Sequence, residues 1–254
     1  MLERPGFICF PGCRASAYLD MMQRLTMPPA CIVLMQNPMA ERGIQAASSH
    51  PLVQRFYQPV ADIEAFCQRF NVPLIVSSAQ SINDTELTAL LLRQGCSHWL
   101  FSGGGIVQST VLATGLKFLH VHPGQMPEVR GSTCFYYSLL HDLTLAASAF
   151  FLEAELDAGP SILCRHFHIN IPPALLSSDF IDYIVDPYIR AETLRPLWQH
   201  WPDISDLDKV AKLSTPPSNR PCYVMHPVLR AMAIQRVAAS YNASNETGDR
   251  KSVV

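Results

Sequence analysis

The chain has 254 residues, 48% of them hydrophobic, which is enough for one sizeable core rather than a disordered or fibrous chain. A formal net charge of -2 gathers no polyanion, so extensive nucleic-acid contact is excluded on charge, and no run approaches the ~20 apolar residues of a membrane span. With no secretory leader pattern at the start, the reading is a cytoplasmic protein that handles small molecules.

In chain order, residues 7–10 read as a short buried strand broken at Pro11-Gly12, and residues 15–25 as a helix. Strands follow at 30–35 and 72–76, a helix at 61–70, and a helix at 84–93 capped by Asn83. Residues 98–101 form another strand. The run Gly103-Gly104-Gly105 then opens a helical stretch over 106–113, and 117–122 is again a strand. Short apolar strands alternating with helices predict an α/β fold with a Rossmann-like, doubly wound, mainly parallel sheet. Beyond Gly131 a helix is expected over 134–140, and strands at 146–155 and 161–169 pair antiparallel at the sheet edge. Residues 179–201 predict a long helix interrupted at Pro187 and Pro196, and 228–240 one more, with a disordered last dozen. The domain reading is a catalytic domain over 1–200 and an extension over 201–254 that packs on it or pairs subunits into a homodimer.

The eight cysteines are scattered with no CxxC pair, which predicts buried, reduced thiols. Asn242-Ala243-Ser244 and Asn245-Glu246-Thr247 match the glycosylation sequon, but without a leader they mark only a polar tail.

The chemistry concentrates in His120-Val121-His122-Pro123-Gly124-Gln125-Met126-Pro127-Glu128-Val129-Arg130-Gly131 and, downstream, Leu156-Asp157-Ala158-Gly159-Pro160. Two residues apart on a strand, His120 and His122 face one side of it, and Pro123-Gly124 end the strand there. Two imidazoles therefore stand where a strand of an α/β sheet hands over to a loop, the usual address of a ligand site. Asp157 supplies a carboxylate that could orient one of them. The same three residues also have the composition of a facial metal triad, which keeps a metal-dependent reading open. His166 and His168 form a second alternating pair, expected to face solvent or a neighbouring strand. The glycine run lets main chain approach a flat ring closely but fits neither the dinucleotide nor the P-loop pattern.

These segments resemble the formyltransferases that take a one-carbon unit from 10-formyltetrahydrofolate, including the glycinamide ribonucleotide, methionyl-tRNA and sugar-amine enzymes. The family pattern is asparagine, any residue, histidine and proline at a strand end, a Leu-Pro-x-x-Arg-Gly-like loop, and an aspartate before x-Gly-Pro. His122-Pro123, Met126-Pro127, Arg130-Gly131 and Asp157-Ala158-Gly159-Pro160 match it, and the resemblance spans about residues 7–169. His120 departs, standing where the family has asparagine.

The resemblance implies formyl transfer to an amine of a small molecule, with no stoichiometric metal. Such a transfer needs a donor to the tetrahedral oxyanion and groups that move protons off the amine and onto the leaving nitrogen. His122 is assigned as general acid/base, Asp157 as its partner, and His120 as an oxyanion donor able to titrate near neutrality. Ser102, Gly103, Gly104, Gly105, Ile106, Val107 and Leu156 are expected at the 10-formyltetrahydrofolate site, and Gly124, Gln125 and Arg130 on the substrate side. For Arg130 a structural salt bridge is an equal alternative. The extension lacks the basic bias and the barrel strands of the methionyl-tRNA enzymes, which sets a tRNA acceptor aside. A folate-dependent deformylase and a non-catalytic folate-binding relative use the same residue types.

Overall fold

The computed structural model describes residues 4–36, 40–154, 159, 161–168, 171–201 and 222–246. Five short apolar runs pair in parallel: β1 (Gly6–Cys9), β2 (Ile32–Leu34), β3 (Leu74–Val76), β4 (His98–Phe101) and β5 (Lys117–His122). β6 (Leu145–Phe151) and β7 (Ser161–Phe167) add antiparallel beyond β5 and complete one seven-stranded sheet, in the order β3-β2-β1-β4-β5-β6-β7. The mainly parallel sheet with an antiparallel edge is the architecture the sequence predicts.

Alternation along the strands divides the core in two. Phe7, Cys9, Leu100, Leu119 and Val121 join a cluster with α1 (Cys13–Leu25) and α9 (Asp186–Gln199). Ile8, Val33, Trp99, Phe101 and Phe118 join a second cluster with α5 (Thr85–Arg93) and α6 (Ser109–Leu112). Helices thus cover both faces, as a doubly wound sheet requires. The chain also forms α2 (Ala40–Ser49), α3 (Val53–Phe56), α4 (Ile63–Phe70), α7 (Cys134–Asp142), α8 (Ser178–Phe180) and α10 (Pro227–Glu246). None of the eight cysteines is in a disulfide, and six of them are buried. Among the described residues no helix is long and apolar enough to cross a membrane.

Several boundaries differ from the sequence reading. Asp84, not Asn83, stands at the start of α5, and Asn83 reaches instead to the loop after β4. That pull shortens the expected helix at 106–113 to the single turn of α6. Residues 36–60, for which no element was expected, contain α2 and α3. The two prolines expected to interrupt 179–201 act differently from each other. A π-helical turn, Ile181–Val185, precedes Pro187, and α9 runs through Pro196 unbroken. Each proline lacks the N–H that would serve the carbonyl four residues back. Tyr57 Oη donates to the Tyr183 carbonyl at 2.6 Å, and Arg165 Nη1 donates to the Glu192 carbonyl at 2.6 Å. Tertiary donors therefore replace the helical ones. Helix α10 extends to Glu246, past the expected Ser240, and residues 247–254 lie outside the described residues.

Candidate active site

From β1 the chain winds out to β2 and β3 on one side, then returns to β4 and β5 on the other. Loops leaving β1 and β4 at their carboxyl ends diverge, and a crevice opens between them. It is a cleft of about 600 Å³ lined by Gly12, Arg14, Gln80, Gly103, Asp182 and Asp186, among others. A larger cavity of about 870 Å³ between α2 and α4 contains none of the candidate site residues.

His120 and His122 leave β5 on the face of Phe118, beside Phe150 and Ser148 of β6. The half-buried His120 ring sits with its centroid 5.9 Å from Phe101 and 6.0 Å from Phe150, and its Nδ1–H donates to the Phe101 carbonyl at 3.2 Å. His122 is only 3% exposed, and its Nε2–H donates to the Val129 carbonyl at 3.2 Å. A carbonyl only accepts, so these contacts fix opposite tautomers for the two neutral rings.

The loop after β5 is wound about His122. A Cβ on Gly124 would lie 2.5 Å from the Val129 carbonyl and 3.1 Å from His122 Nε2, so only glycine admits this contact. Ser148 Oγ donates to the Gly124 carbonyl at 2.7 Å and accepts from Met126 N at 3.0 Å, and Val129 N donates to the Gln125 carbonyl at 2.7 Å. The Met126-Pro127 peptide is cis. Gln125 is exposed and Arg130 buried.

Two arginines that the sequence reading did not single out set the electrostatics. Arg190 of α9 is buried, donates through Nη1 to the Val121 carbonyl between the two histidines, and holds both Asp186 oxygens through Nε at 2.9 and 3.1 Å. Arg14, in the first turn of α1, donates to the carbonyls of Ser102 and Gly103 at 3.0 and 2.9 Å. Burial, with Arg190 adding to it, brings the Arg14 pKa down to about 10, and its buried Nε has no hydrogen-bond partner among the described residues. Burial also pushes His122 down to about 3, assisted by Arg190. Burial, with Arg14 and Arg190 adding to it, holds His120 well below the ordinary imidazole value.

The expectation that His120 titrates near neutrality is therefore corrected. A neutral His120 bonded through Nδ1–H also presents an acceptor at Nε2, not the expected oxyanion donor. An i, i+4 pattern at Asp186 and Arg190 was the one signal in the sequence that could have flagged the cation behind β5. Arg14 gave none, because its partners are backbone atoms.

At the glycine loop, Ser102 Oγ accepts from Phe10 N at 3.0 Å and donates to the Ile8 carbonyl at 3.3 Å, so this hydroxyl stitches β1 to β4. A Cβ on Gly103 would meet the Phe10 and Phe101 rings at 2.6 Å. Gly104, Gly105 and Ile106 are exposed, with Ile106 at 54%, whereas Val107 is a core residue. Asn83 holds the far side of the loop, donating to the Ile106 carbonyl at 2.9 Å and accepting from Gln108 N at 2.8 Å. Such a braced turn with open glycines fits a flat ring laid against its backbone.

Leu156 and Asp157 lie outside the described residues. Gly159, in the same segment, sits against β6, where a Cβ would come within 2.2 Å of the Phe151 carbonyl. His166 and His168 are exposed, in line with a solvent-facing edge. No three His, Cys, Asp or Glu side chains among the described residues are placed to hold a metal ion, a statement that does not extend to Asp157.

No family model matches the chain, and no curated protein matches it. Solved structures do. Glycinamide ribonucleotide transformylase 1 from Geobacillus kaustophilus superposes with a TM-score of 0.54 at 16% identity, over 79% of this chain and 99% of that one. A sugar N-formyltransferase from Shewanella sp FDAARGOS_354 gives 0.52 at 11% identity, over 93% and 88%. A formyltetrahydrofolate deformylase from Pseudomonas putida KT2440 gives 0.51 at 15% identity, over 79% and 66%. The chain has the fold of these two transferases and of the deformylase.

Proposed function

We propose that the protein is a formyltransferase that moves the formyl group of 10-formyltetrahydrofolate to an amine of a small molecule. One observation carries the reading: His122 is buried, neutral and locked in one tautomer at the carboxyl edge of β5, the strand paired with the one that leads into the braced glycine loop, in a fold shared with formyltransferases.

The exposed backbone of Gly104, Gly105 and Ile106 takes the ring of the donor, Leu156 is a further contact proposed from the motif alone, and Ser102, Gly103 and Val107 shape the turn from behind. The amine enters by the cleft of Arg14, Asp182 and Asp186, and Gly124, Gln125 and Arg130 are its proposed contacts on the loop after β5. Its nitrogen attacks the formyl carbon, forming the new C–N bond and placing negative charge on the formyl oxygen. With Nε2–H committed to Val129, His122 takes the ammonium proton on its other nitrogen. The resulting imidazolium donates to the oxyanion and then delivers that proton to the departing folate nitrogen as the old C–N bond breaks. Asp157 balances the imidazolium charge. His120 Nε2, an acceptor, orients an amine N–H.

Donor binding is the first test. A stable 10-formyltetrahydrofolate analogue should raise the melting temperature, as any ligand selective for the folded state does. No shift and no calorimetric heat at millimolar analogue overturns the reading. Because one structural neighbour is named a deformylase, formate release without any amine is measured alongside: release as fast as transfer would assign water as the acceptor.

A further inference from the structure

The segment that follows residue 221 returns to the loop that holds His122. Cys222 forms a parallel bridge with Gly131, its N–H donating to the Arg130 carbonyl at 2.7 Å and its carbonyl accepting from Ser132 N at 2.9 Å. Two residues along the loop, Thr133 Oγ1 accepts from Met225 N at 2.8 Å and donates to the Tyr223 carbonyl at 3.2 Å. Thr133 is bent for this contact. It adopts φ 52°, a left-handed conformation rare for a β-branched residue. It also occupies the N-cap of α7 but makes no side-chain cap, so a residue type suited to closing the helix spends its hydroxyl on residues 223 and 225 instead. A backbone outlier held by tertiary bonds beside a site is evidence of a positional task.

The same segment reaches the cleft wall. Arg230 of α10 lies over the Tyr136 ring at 5.0 Å and approaches Asp182 at 3.5 Å, and Tyr136 Oη donates to Asp182 at 2.8 Å. Residues 222–230 therefore bind both the loop around His122 and a carboxylate that lines the cleft.

We infer that Thr133, clamped by residues 222–225, is a positioning residue for His122: it immobilises residues 130–133, and through them the Val129 carbonyl that selects the Nε2–H tautomer. The inference about the imidazole stands on geometry alone; its consequence for turnover rests on the formyl-transfer reading.

The test is a ring-nitrogen NMR spectrum of His122 in the full-length chain. The parent protein should show the Nε2–H tautomer. Thr133→Val keeps the shape but removes both hydrogen bonds, and should give a mixture of tautomers. Thr133→Ser should restore the parent spectrum. A folded Thr133→Val with the parent tautomer overturns the inference. If that variant does not fold, amide exchange of the parent decides: Ser132 and Met225 N–H groups as protected as those of β5 support the clamp, and exchange at the rate of a frayed terminus contradicts it. Under the formyl-transfer reading Thr133→Val also lowers kcat about tenfold with the donor KM unchanged. A chain inactive in transfer but with the tautomer shift refutes the function and leaves the clamp standing.

Discussion

At the scale of single residues, the site is governed by two imidazoles kept uncharged. His122 is neutral in the folded chain down to about pH 3, while an unfolded imidazole gains its proton near 6.5. Between those values the unfolded chain binds the extra proton, so stability is complete above the unfolded pKa and falls as pH drops through the window, by up to about 1.4 kcal/mol per unit from this one group. His120, shifted in the same direction, adds to it. Urea denaturation from pH 7 to pH 4 should show that loss; a flat profile contradicts the neutral buried pair. Gly124 is the second residue-scale test. Gly124→Ala puts a methyl 2.5 Å from the Val129 carbonyl, and relief of the clash must part that carbonyl from His122. Such overpacking costs about 1–3 kcal/mol, and proposed turnover falls with it. Parent stability and activity in the alanine variant would show that the loop yields cheaply. The two histidines and the glycine were legible as a motif. The burial that chiefly keeps them neutral, and the arginines that add to it, were not: Arg14 pairs with main-chain carbonyls that no sequence pattern names, and Arg190 left only its i, i+4 spacing from Asp186.

Elements were legible where one face of a periodic run meets the core. β4 and β5 fall on the residues read from their apolar runs, while β2 and β3 are shorter than read, although backbone hydrogen bonds continue at Ala30, Met35 and Pro73 on their flanks. The 179–201 segment shows the limit. Proline removes a donor, and sequence alone counts that as a break, but Arg165 and Tyr57 supply the missing donors from distant parts of the chain. Tyr57 therefore stabilises a helix it does not belong to. Tyr57→Phe leaves the Tyr183 carbonyl without that bond, at a cost of about 1–3 kcal/mol by chemical denaturation, with little change in shape. A loss within measurement error would mean another donor takes over.

For the whole molecule, the winding order of the sheet does the most to create function. Reversal of direction between β1 and β4 opens the cleft, and β5 presents its histidines at the same edge. Alternating strands and helices already announced that architecture, and the position of the glycine run after the fourth strand announced one wall of the site. What stayed illegible is the return of residues 222–246 onto the loop and α7, since a single bridge and a threonine hydroxyl leave no periodic trace. The proposed activity is transfer of a formyl group through His122. Incubating the full chain with 10-formyltetrahydrofolate and a panel of small amines, with and without a chelator, and following formylated amine by mass spectrometry tests it most directly. Product is expected in both conditions, with a loss of about 10²- to 10⁴-fold in His122→Ala. Product unaffected by His122→Ala, or formed only when a divalent metal is restored, would contradict it.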